Sequence, residues 1–118
     1  MKTKDQAVLL PRLRVVARKK IAFGPGKAEL LALIAETGSI GDAAKRMKMS
    51  YMRAWSLVQM MNECYKEPLV KALRGGNKHG GAELTETGRR VLKLYQQMDA
   101  AGLKACRNYW QSFQKLLR

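Results

Sequence analysis

Hydrophobic positions recur at helical spacing through the middle of the chain. Residues 27–37 carry a wide apolar face, and Gly38 follows where a left-handed helix end is expected. Residues 40–47 place their apolar side chains at i, i+3, i+4 and i+7 behind Ser39, a predicted N-cap. Residues 51–63 repeat this pattern behind Ser50. The spacing therefore predicts three helices within 26–63, the last two joined by a turn of only a few residues.

Alternating apolar and polar residues predict two pairs of short strands. Leu13, Val15 and Ala17 alternate with arginines, which predicts a half-buried strand in a hairpin over 12–23 with a basic tip at 18–20. A second pair, 69–73 and 82–84, flanks a basic glycine-rich loop and defines a wing over 68–84. Helix, helix, strand, basic loop and strand is the order of a winged helix-turn-helix. The alternative is a generic pair of antiparallel helices.

A long helix is predicted over 85–117, with Thr85 as its N-cap. At 1.5 Å per residue it would extend for about 45 Å, more than one small domain covers from one side. Its apolar residues are interpreted as two stripes: Val91, Tyr95, Met98, Ala105 and Tyr109, and Leu103, Cys106, Trp110, Phe113 and Leu117. We expect one stripe to pack against the chain's own domain and the other against a partner subunit. The alternatives are a helix bent or broken at Gly102, or one wrapped back on its own core.

Charge indicates the class of partner. The 118 residues include 23 Lys or Arg against nine Asp or Glu, a formal net charge of +14, while 47% are hydrophobic. Such a chain is expected to form one folded domain, 1–118, with a packed core. Residues 1–22 alone carry seven basic residues against one acid. This excess of positive charge indicates a polyanionic partner, and nucleic acid is the first candidate.

Several other functions lack the residues they need. His79 is the single histidine, and Cys64 and Cys106 lie far apart, so neither a zinc site nor a disulfide scaffold is expected. The glycine-rich loop does not match the phosphate-binding motif of nucleotide-binding proteins, because His79 follows Lys78. No secretory signal or bilayer-length apolar run is visible. We therefore expect a cytoplasmic protein that is not an enzyme, with no catalytic residue, metal, cofactor or membrane partner.

Two stretches carry a family resemblance. The run GPGKAELLALIAETGSIGDAAKRMKMSYMRAW, residues 24–55, closely resembles the N-terminal DNA-binding domain of ModE-type, molybdate-responsive transcription regulators. The run EPLVKALRGGNKHGGAELTETGRRVLKLY, residues 67–95, is similar to the strand, wing and start of the dimerisation helix in the same family. The broader similarity is to LysR-type winged helices. Together the resemblance covers about residues 12–98.

The resemblance implies a mainly α fold with a small β wing, in which a long C-terminal helix forms a homodimer. It further implies a sequence-specific transcription regulator that binds a palindromic site in double-stranded DNA. The DNA-binding residues it implies are Ser39, Ser50, Tyr51, Met52, Arg53, Ser56, Arg74, Lys78 and His79. The dimerisation residues are Val91, Tyr95, Met98, Tyr109, Trp110 and Phe113. Arg53 is the first choice for a base contact, whereas Tyr51 and Trp55 are interpreted mainly as inward-facing structural anchors.

The sequence departs from the family in two respects. His79 interrupts the glycine run that usually follows the wing lysine. The chain also ends at Arg118, which leaves no room for the C-terminal oxyanion-binding domains of full-length regulators. Molybdate is therefore not expected to bind this chain directly, and either a shortened family member or a separate sensor protein would explain this. The alternative function is non-specific, architectural binding of nucleic acid, including RNA.

Overall fold

The computed structural model describes residues 6–73 and 81–118. Within these residues the fold is mainly helical with two small antiparallel sheets, which confirms the predicted fold class. The elements, in chain order, are β1 (Val15–Ala17), β2 (Lys20–Phe23), α1 (Pro25–Thr37), α2 (Ile40–Arg46), α3 (Tyr51–Cys64), β3 (Val70–Leu73), β4 (Gly81–Leu84) and α4 (Glu86–Gln114).

Short polar side chains set where the helices begin. A hydroxyl oxygen that accepts a backbone N–H satisfies one of the donors left free in the first turn of a helix. The three hydroxyl N-caps expected from the sequence all make this bond: Ser39 Oγ accepts from Asp42 N–H at 2.8 Å, Ser50 Oγ from Arg53 N–H at 3.1 Å, and Thr85 Oγ1 from Gly88 N–H at 2.9 Å. Gly38 ends α1 at φ 77°, the left-handed conformation that favours glycine.

The core is built around α1. Leu30, Leu31 and Ile34 are completely buried, as the wide apolar face of residues 27–37 predicts. Small residues of α2 and α3 allow these two helices to approach α1 and each other closely. The buried hydrophobic cluster also includes Phe23, Ala43, Ala44, Ala54, Val58, Met61, Leu69, Val70, Ala82, Leu84 and Tyr95.

The sheet of β3 and β4 is attached to the helices at both of its ends. Its register pairs Val70 with Leu84 and Leu73 with Gly81. Ala82 N–H donates to the Gly38 carbonyl at 2.9 Å, which ties β4 to the turn between α1 and α2. At the start of α4, a Cβ added to Gly88 would overlap the Leu69 backbone, so glycine is needed for this close approach.

The predicted N-terminal hairpin is present, but its first strand is not half-buried. β1 and β2 pair antiparallel around a turn at Arg18 and Lys19, which have φ values of 52° and 65°. All three residues of β1 are exposed, whereas Ala22 and Phe23 at the end of β2 are buried. The alternating pattern predicted a half-buried β1. This prediction is wrong, because no element of the described chain covers that strand.

The last helix runs without interruption for 29 residues, so it neither breaks at Gly102 nor folds back on its own core. Its first three turns pack against the body through Gly88, Val91, Leu92 and Tyr95. Its later turns extend beyond this core and line a hollow with residues 6–9, and the longest dimension of the molecule is 56 Å. At 100° per residue, the two predicted stripes form one wide face, the first part of which meets the chain's own core. Among the described residues, no helix is long and apolar enough to span a bilayer.

Two of the residues assigned to dimerisation pack against the chain's own core. Tyr95 is 4% exposed and its ring meets Phe23 edge-on, with centroids 5.0 Å apart. Val91 packs against the same cluster. A side chain already covered by its own core has little surface left to contribute to an interface.

Candidate nucleic-acid interface

A helix-turn-helix forms one side of the body. α2 ends at Arg46, and a tight turn leads to α3, with Met49 N–H donating to the Ala44 carbonyl at 3.0 Å. Lys48 takes a left-handed conformation in this turn, with φ 58°. Ala43, Ala44 and Ala54 are at most 2% exposed at the contact between the two helices. The alanine pair therefore has a structural role, because it lets α3 lie close to α2 while its other side faces outward.

The outer side of α3 carries three of the residues assigned to DNA binding, including Arg53, the first choice for a base contact. Met52 is 63% exposed, and Arg53 and Ser56 are also exposed. Met60 continues the same side toward the end of the helix. The structure thus brings Met52, Arg53 and Ser56 together on one accessible surface of a helix held from behind.

The interpretation of Tyr51 and Trp55 as inward-facing anchors is wrong. Their side chains are 51% and 41% exposed, respectively. Both line a groove between α3 and the sheet of β3 and β4, together with Leu73 and Gly81. The helical spacing put them on the side of Ala54 and Val58, but an open groove, and not a packed contact, lies between them and the sheet.

Asn62 is a structural residue whose role the sequence did not reveal. Its Oδ1 accepts from Leu69 N–H at 2.8 Å and from Val70 N–H at 3.1 Å, while its Nδ2 donates to the Val70 carbonyl at 3.1 Å. One side chain thus satisfies three backbone groups at the start of β3 and holds the wing sheet beside α3. The sequence signal for this role was that Asn62 is an amide on an otherwise apolar side of the predicted helix.

Two of the three serines assigned to DNA binding, Ser39 and Ser50, occupy helix N-termini. Because the oxygen of each accepts a cap bond, its hydroxyl hydrogen remains free to donate. The backbone N–H groups of a helix N-terminus favour anions, and α2 and α3 both begin on this side of the body. Ser39 is half-buried in the groove, whereas Ser50 is exposed.

Positive charge around the helix-turn-helix is largely uncompensated. Across residues 6–73 and 81–118, the ion pairs are Arg46 with Glu36 and Lys71 with Glu83, the latter at 3.8 Å. Lys45, Lys48 and Arg53 take part in neither pair and are exposed. Unpaired positive charges beside an accessible helix are an arrangement that attracts phosphate groups.

The predicted wing residues Arg74, Lys78 and His79 lie outside the described part of the chain. The strands on either side of them are placed, with Leu73 paired to Gly81 at the end of the sheet that borders the groove. Leu73 and Gly81, the described residues that flank positions 74–80, line the same groove as Tyr51 and Trp55.

Two tyrosines join the N-terminal hairpin to the helical body. Tyr65 donates to the Ala22 carbonyl at 3.1 Å, and Tyr95 donates to the Leu13 carbonyl at 2.7 Å. Burial raises the pKa of Tyr65 above its ordinary value, and Cys64 adds to the rise. Burial also raises the pKa of Tyr95, with a further contribution from Asp99. Both hydroxyls therefore remain protonated donors at neutral pH.

The far half of α4 exposes large apolar side chains. Tyr109 is 80% exposed, Phe113 56% and Met98 45%. Trp110 is half-buried and stacks on Phe113, with ring centroids 5.8 Å apart. Of the six residues assigned to dimerisation, these four remain on a surface that another chain is able to reach.

Comparisons with known proteins agree with this architecture. The chain is 37% identical over 98 residues to the molybdenum-pterin-binding protein MopB of Rhodobacter capsulatus, covering 83% of this chain and 36% of MopB. It is 36% identical over 100 residues to the DNA-binding transcriptional dual regulator ModE of Escherichia coli K12, covering 85% of this chain and 37% of ModE. The resemblance to ModE-type regulators is thereby confirmed, although the chain spans only about a third of the length of these relatives.

A solved structure and a family model support the same fold. The DNA-binding domain in the crystal structure of a CbnR–DNA complex superimposes with a TM-score of 0.55 at 23% identity, covering 74% of this chain and 95% of that one. The family model for bacterial regulatory helix-turn-helix proteins of the LysR family matches residues 26–89, from α1 through the start of α4. The chain therefore belongs to the LysR family of bacterial regulatory helix-turn-helix proteins.

Proposed function

We propose that this chain is a ModE-like, sequence-specific regulator of transcription that binds double-stranded DNA as a homodimer. The main support for the proposal is that one side of α3 is buried in the core and the other side is exposed. One side is fixed in the core through Ala54, Val58 and Met61, while Met52 and Arg53 are exposed on the other. A rigid helix with accessible side chains at its first turn is the part that enters the major groove in helix-turn-helix proteins.

Each outward residue has chemistry suited to a base edge. Arginine forms paired hydrogen bonds with guanine O6 and N7, so we assign guanine recognition to Arg53. Met52 offers apolar surface of the kind that contacts a thymine methyl group, and the Ser56 hydroxyl both donates and accepts. Different base edges would therefore be distinguished by neighbouring residues of one exposed surface.

Phosphate contacts would fix the position of the helix. Ser39, Ser50 and Tyr51 lie at the N-termini of α2 and α3, where hydroxyl and backbone donors favour an anion. We assign the wing residues Arg74, Lys78 and His79 to the adjacent phosphates or minor groove, on the basis of sequence and the position of their flanking strands. Such contacts add affinity but carry little information about base sequence.

The homodimer would form through the projecting half of α4. Met98, Tyr109, Trp110 and Phe113 present apolar surface along one helix, and the chain's own core already occupies the first part of the same face. A two-fold dimer of this kind presents two copies of α3, so its site is palindromic, with half-sites about one helical turn or a small multiple apart. Molybdate is not assigned to these residues, and under this proposal the chain acts on bacterial DNA in the cytoplasm without catalysing a reaction.

Selection of bound sites from random duplex DNA tests the proposal. The expected result is an enriched palindrome in which each half-site contains a guanine that the Arg53→Ala variant no longer requires. Enrichment of no sequence would contradict a specific regulator and support the alternative, non-specific binding driven by the net charge of +14. Preference for single-stranded RNA over duplex DNA in a competition assay would contradict both DNA-binding assignments.

A further inference from the structure

The tip of the N-terminal hairpin is a compact basic surface that the proposed function does not use. Arg18, Lys19 and Lys20, called here the basic tip, are all exposed. None of them takes part in an ion pair with the residues in 6–73 or 81–118. Three adjacent free cations at one point of the surface are suited to a polyanion.

The basic tip is held by a rigid base. Ala22 and Phe23, at the other end of β2, are 2% and 1% exposed. Tyr65, which directly follows α3, donates to the Ala22 carbonyl at 3.1 Å. The hairpin therefore keeps a fixed position relative to the C-terminal end of α3, unlike a tethered basic tail.

The turn itself keeps charged residues in an unfavourable conformation. Arg18 and Lys19 both have positive φ, a combination that two-residue hairpin turns normally achieve with Asn-Gly. Side chains with a Cβ are less stable there than glycine. The sequence thus places two positive charges where uncharged residues would form the turn more easily, which is expected where the charges have a use.

The position of the basic tip relates it to the outer side of α3. Arg18 and Lys20 line a hollow with Met60 and Glu63 of α3 and with Lys66 just beyond it. Met60 lies on the same exposed side as Met52 and Arg53. Glu63 is the one acidic residue lining this hollow, against three basic residues among those that line it. The accessible side of α3 therefore runs directly into a net positive surface.

The length of α3 allows the basic tip at its far end to reach DNA. α3 has 14 residues, so it extends for about 21 Å, whereas the major groove is about 12 Å wide. When a helix of this length crosses the groove with its first turn at the bases, its last turn reaches a phosphate backbone. The Ser50 cap lies at the first turn of α3, whereas Arg18 and Lys20 of the basic tip line a hollow with Met60 and Glu63 near the last turn.

We propose that the basic tip binds the phosphate backbone of duplex DNA at the C-terminal end of α3, opposite the contacts of the wing and helix caps. This inference rests on the proposed function, because it assumes that the outer side of α3 faces the major groove. The hairpin and the wing would then hold the recognition helix at its two ends. Because phosphates are the same at every base pair, the contact adds affinity and orientation without base preference.

A double variant, Arg18→Asn with Lys19→Gly, tests the proposal in the full chain. It removes two charges and installs the pair that the turn conformation favours, so the hairpin is expected to remain folded. Each lost phosphate contact lowers the slope of log K against log salt by about 0.9. We therefore expect the slope to fall by about 1.8 per bound protomer, or about 3.6 for the homodimer, and binding near 0.1 M salt to weaken more than roughly tenfold, by the same factor on selected and random duplexes. Adding Lys20→Gln should lower the slope further.

A matched control separates this contact from a general loss of charge. Lys93→Gln with Lys115→Gln removes two exposed lysines from the polar side of α4 and its C-cap, and should change the slope by less than about 0.5. Circular dichroism and thermal unfolding establish that all variants are folded. Ethylation interference adds a positional readout, because phosphates beyond the C-terminal end of α3 should matter for the wild type and not for the tip variant.

The outcomes distinguish the two proposals. If the wild type prefers no duplex sequence, the proposed function is contradicted. If the wild type is specific but the tip variant keeps the same slope and ethylation pattern, the hairpin contact alone is contradicted. A tip variant that loses binding to single-stranded RNA or anionic vesicles, with its duplex slope unchanged, also overturns the assignment to DNA.

Discussion

The two sides of α3 contain similar residue types but have different neighbours. On the inner side Ala54, Val58 and Met61 are at most 2% exposed, whereas Met52 and Met60 on the outer side are largely open to solvent. Methionine thus occurs on both sides of the same helix. The difference shows that burial in this fold depends on which elements surround a position, and that the uncovered side is available for a partner.

The largest expected effect comes from the inner side. Met61→Ala should lower the free energy of unfolding by about 2–5 kcal/mol, because it leaves a cavity at a completely buried position. Denaturant unfolding measures this loss. Met52→Ala is the matched control on the outer side, and should change the stability by less than about 0.5 kcal/mol. Equal losses for both variants would contradict the two-sided description of α3.

A smaller loss of stability is expected when Asn62, the polar residue on the inner side of α3, is replaced. Asn62→Ala should destabilise the protein by about 2–3 kcal/mol, because two backbone N–H groups at the start of β3 lose their acceptor. Asn62→Asp keeps the accepting oxygen and should cost less, as measured by the same unfolding experiment. If Asn62→Asp were as damaging as Asn62→Ala, the acceptor role would be wrong.

Trp55 tests the boundary between the two sides. A buried tryptophan replaced by alanine costs about 3–5 kcal/mol, but at 41% exposure we expect Trp55→Ala to cost only about 1–2 kcal/mol. Because Trp55 lines the groove beside α3, its fluorescence should also change when duplex DNA binds. A loss of the full buried magnitude would restore the interpretation of Trp55 as a core anchor.

The smallest effect concerns the attachment of the hairpin to the end of α3. The folded-state pKa values of Tyr65 and Tyr95 are raised above the unfolded value of about 10, so the folded state binds these protons more tightly. Stability should therefore be constant from pH 7 to about 9 and fall as the pH rises above about 10. Thermal unfolding across this range measures the change, and Tyr65→Phe should reduce its steepness. A Tyr65→Phe variant with the same alkaline slope would show that Tyr65 does not contribute.

Much of the fold follows from local sequence signals. Gly38, Ser39, Ser50 and Thr85 end or begin helices as predicted, because each of these positions depends on a residue's own backbone preference or on a bond only three or four residues away. The order of helices and strands follows from the same short-range information. Most element boundaries therefore needed no knowledge of the tertiary structure.

Burial was predicted less well, because it depends on distant residues. Periodicity places Tyr51 and Trp55 on the side of Ala54, but both line an open groove beside the wing sheet and remain exposed. Val91 and Tyr95 belong to the same apolar face of α4 as Tyr109. The first two residues are covered by the core, whereas Tyr109 lies beyond it and is exposed. Asn62 likewise had no local partner, since its bonds are to residues seven and eight positions later.

The most direct test of the central claim compares one variant on two kinds of DNA. Arg53→Ala should lower the ratio of binding to the selected site over random duplex by roughly 10- to 100-fold, corresponding to about 1–3 kcal/mol. Its free energy of unfolding should change by less than about 0.5 kcal/mol, because the side chain is exposed. An equal loss of affinity for selected and random DNA would contradict the claim that the outer side of α3 recognises base sequence.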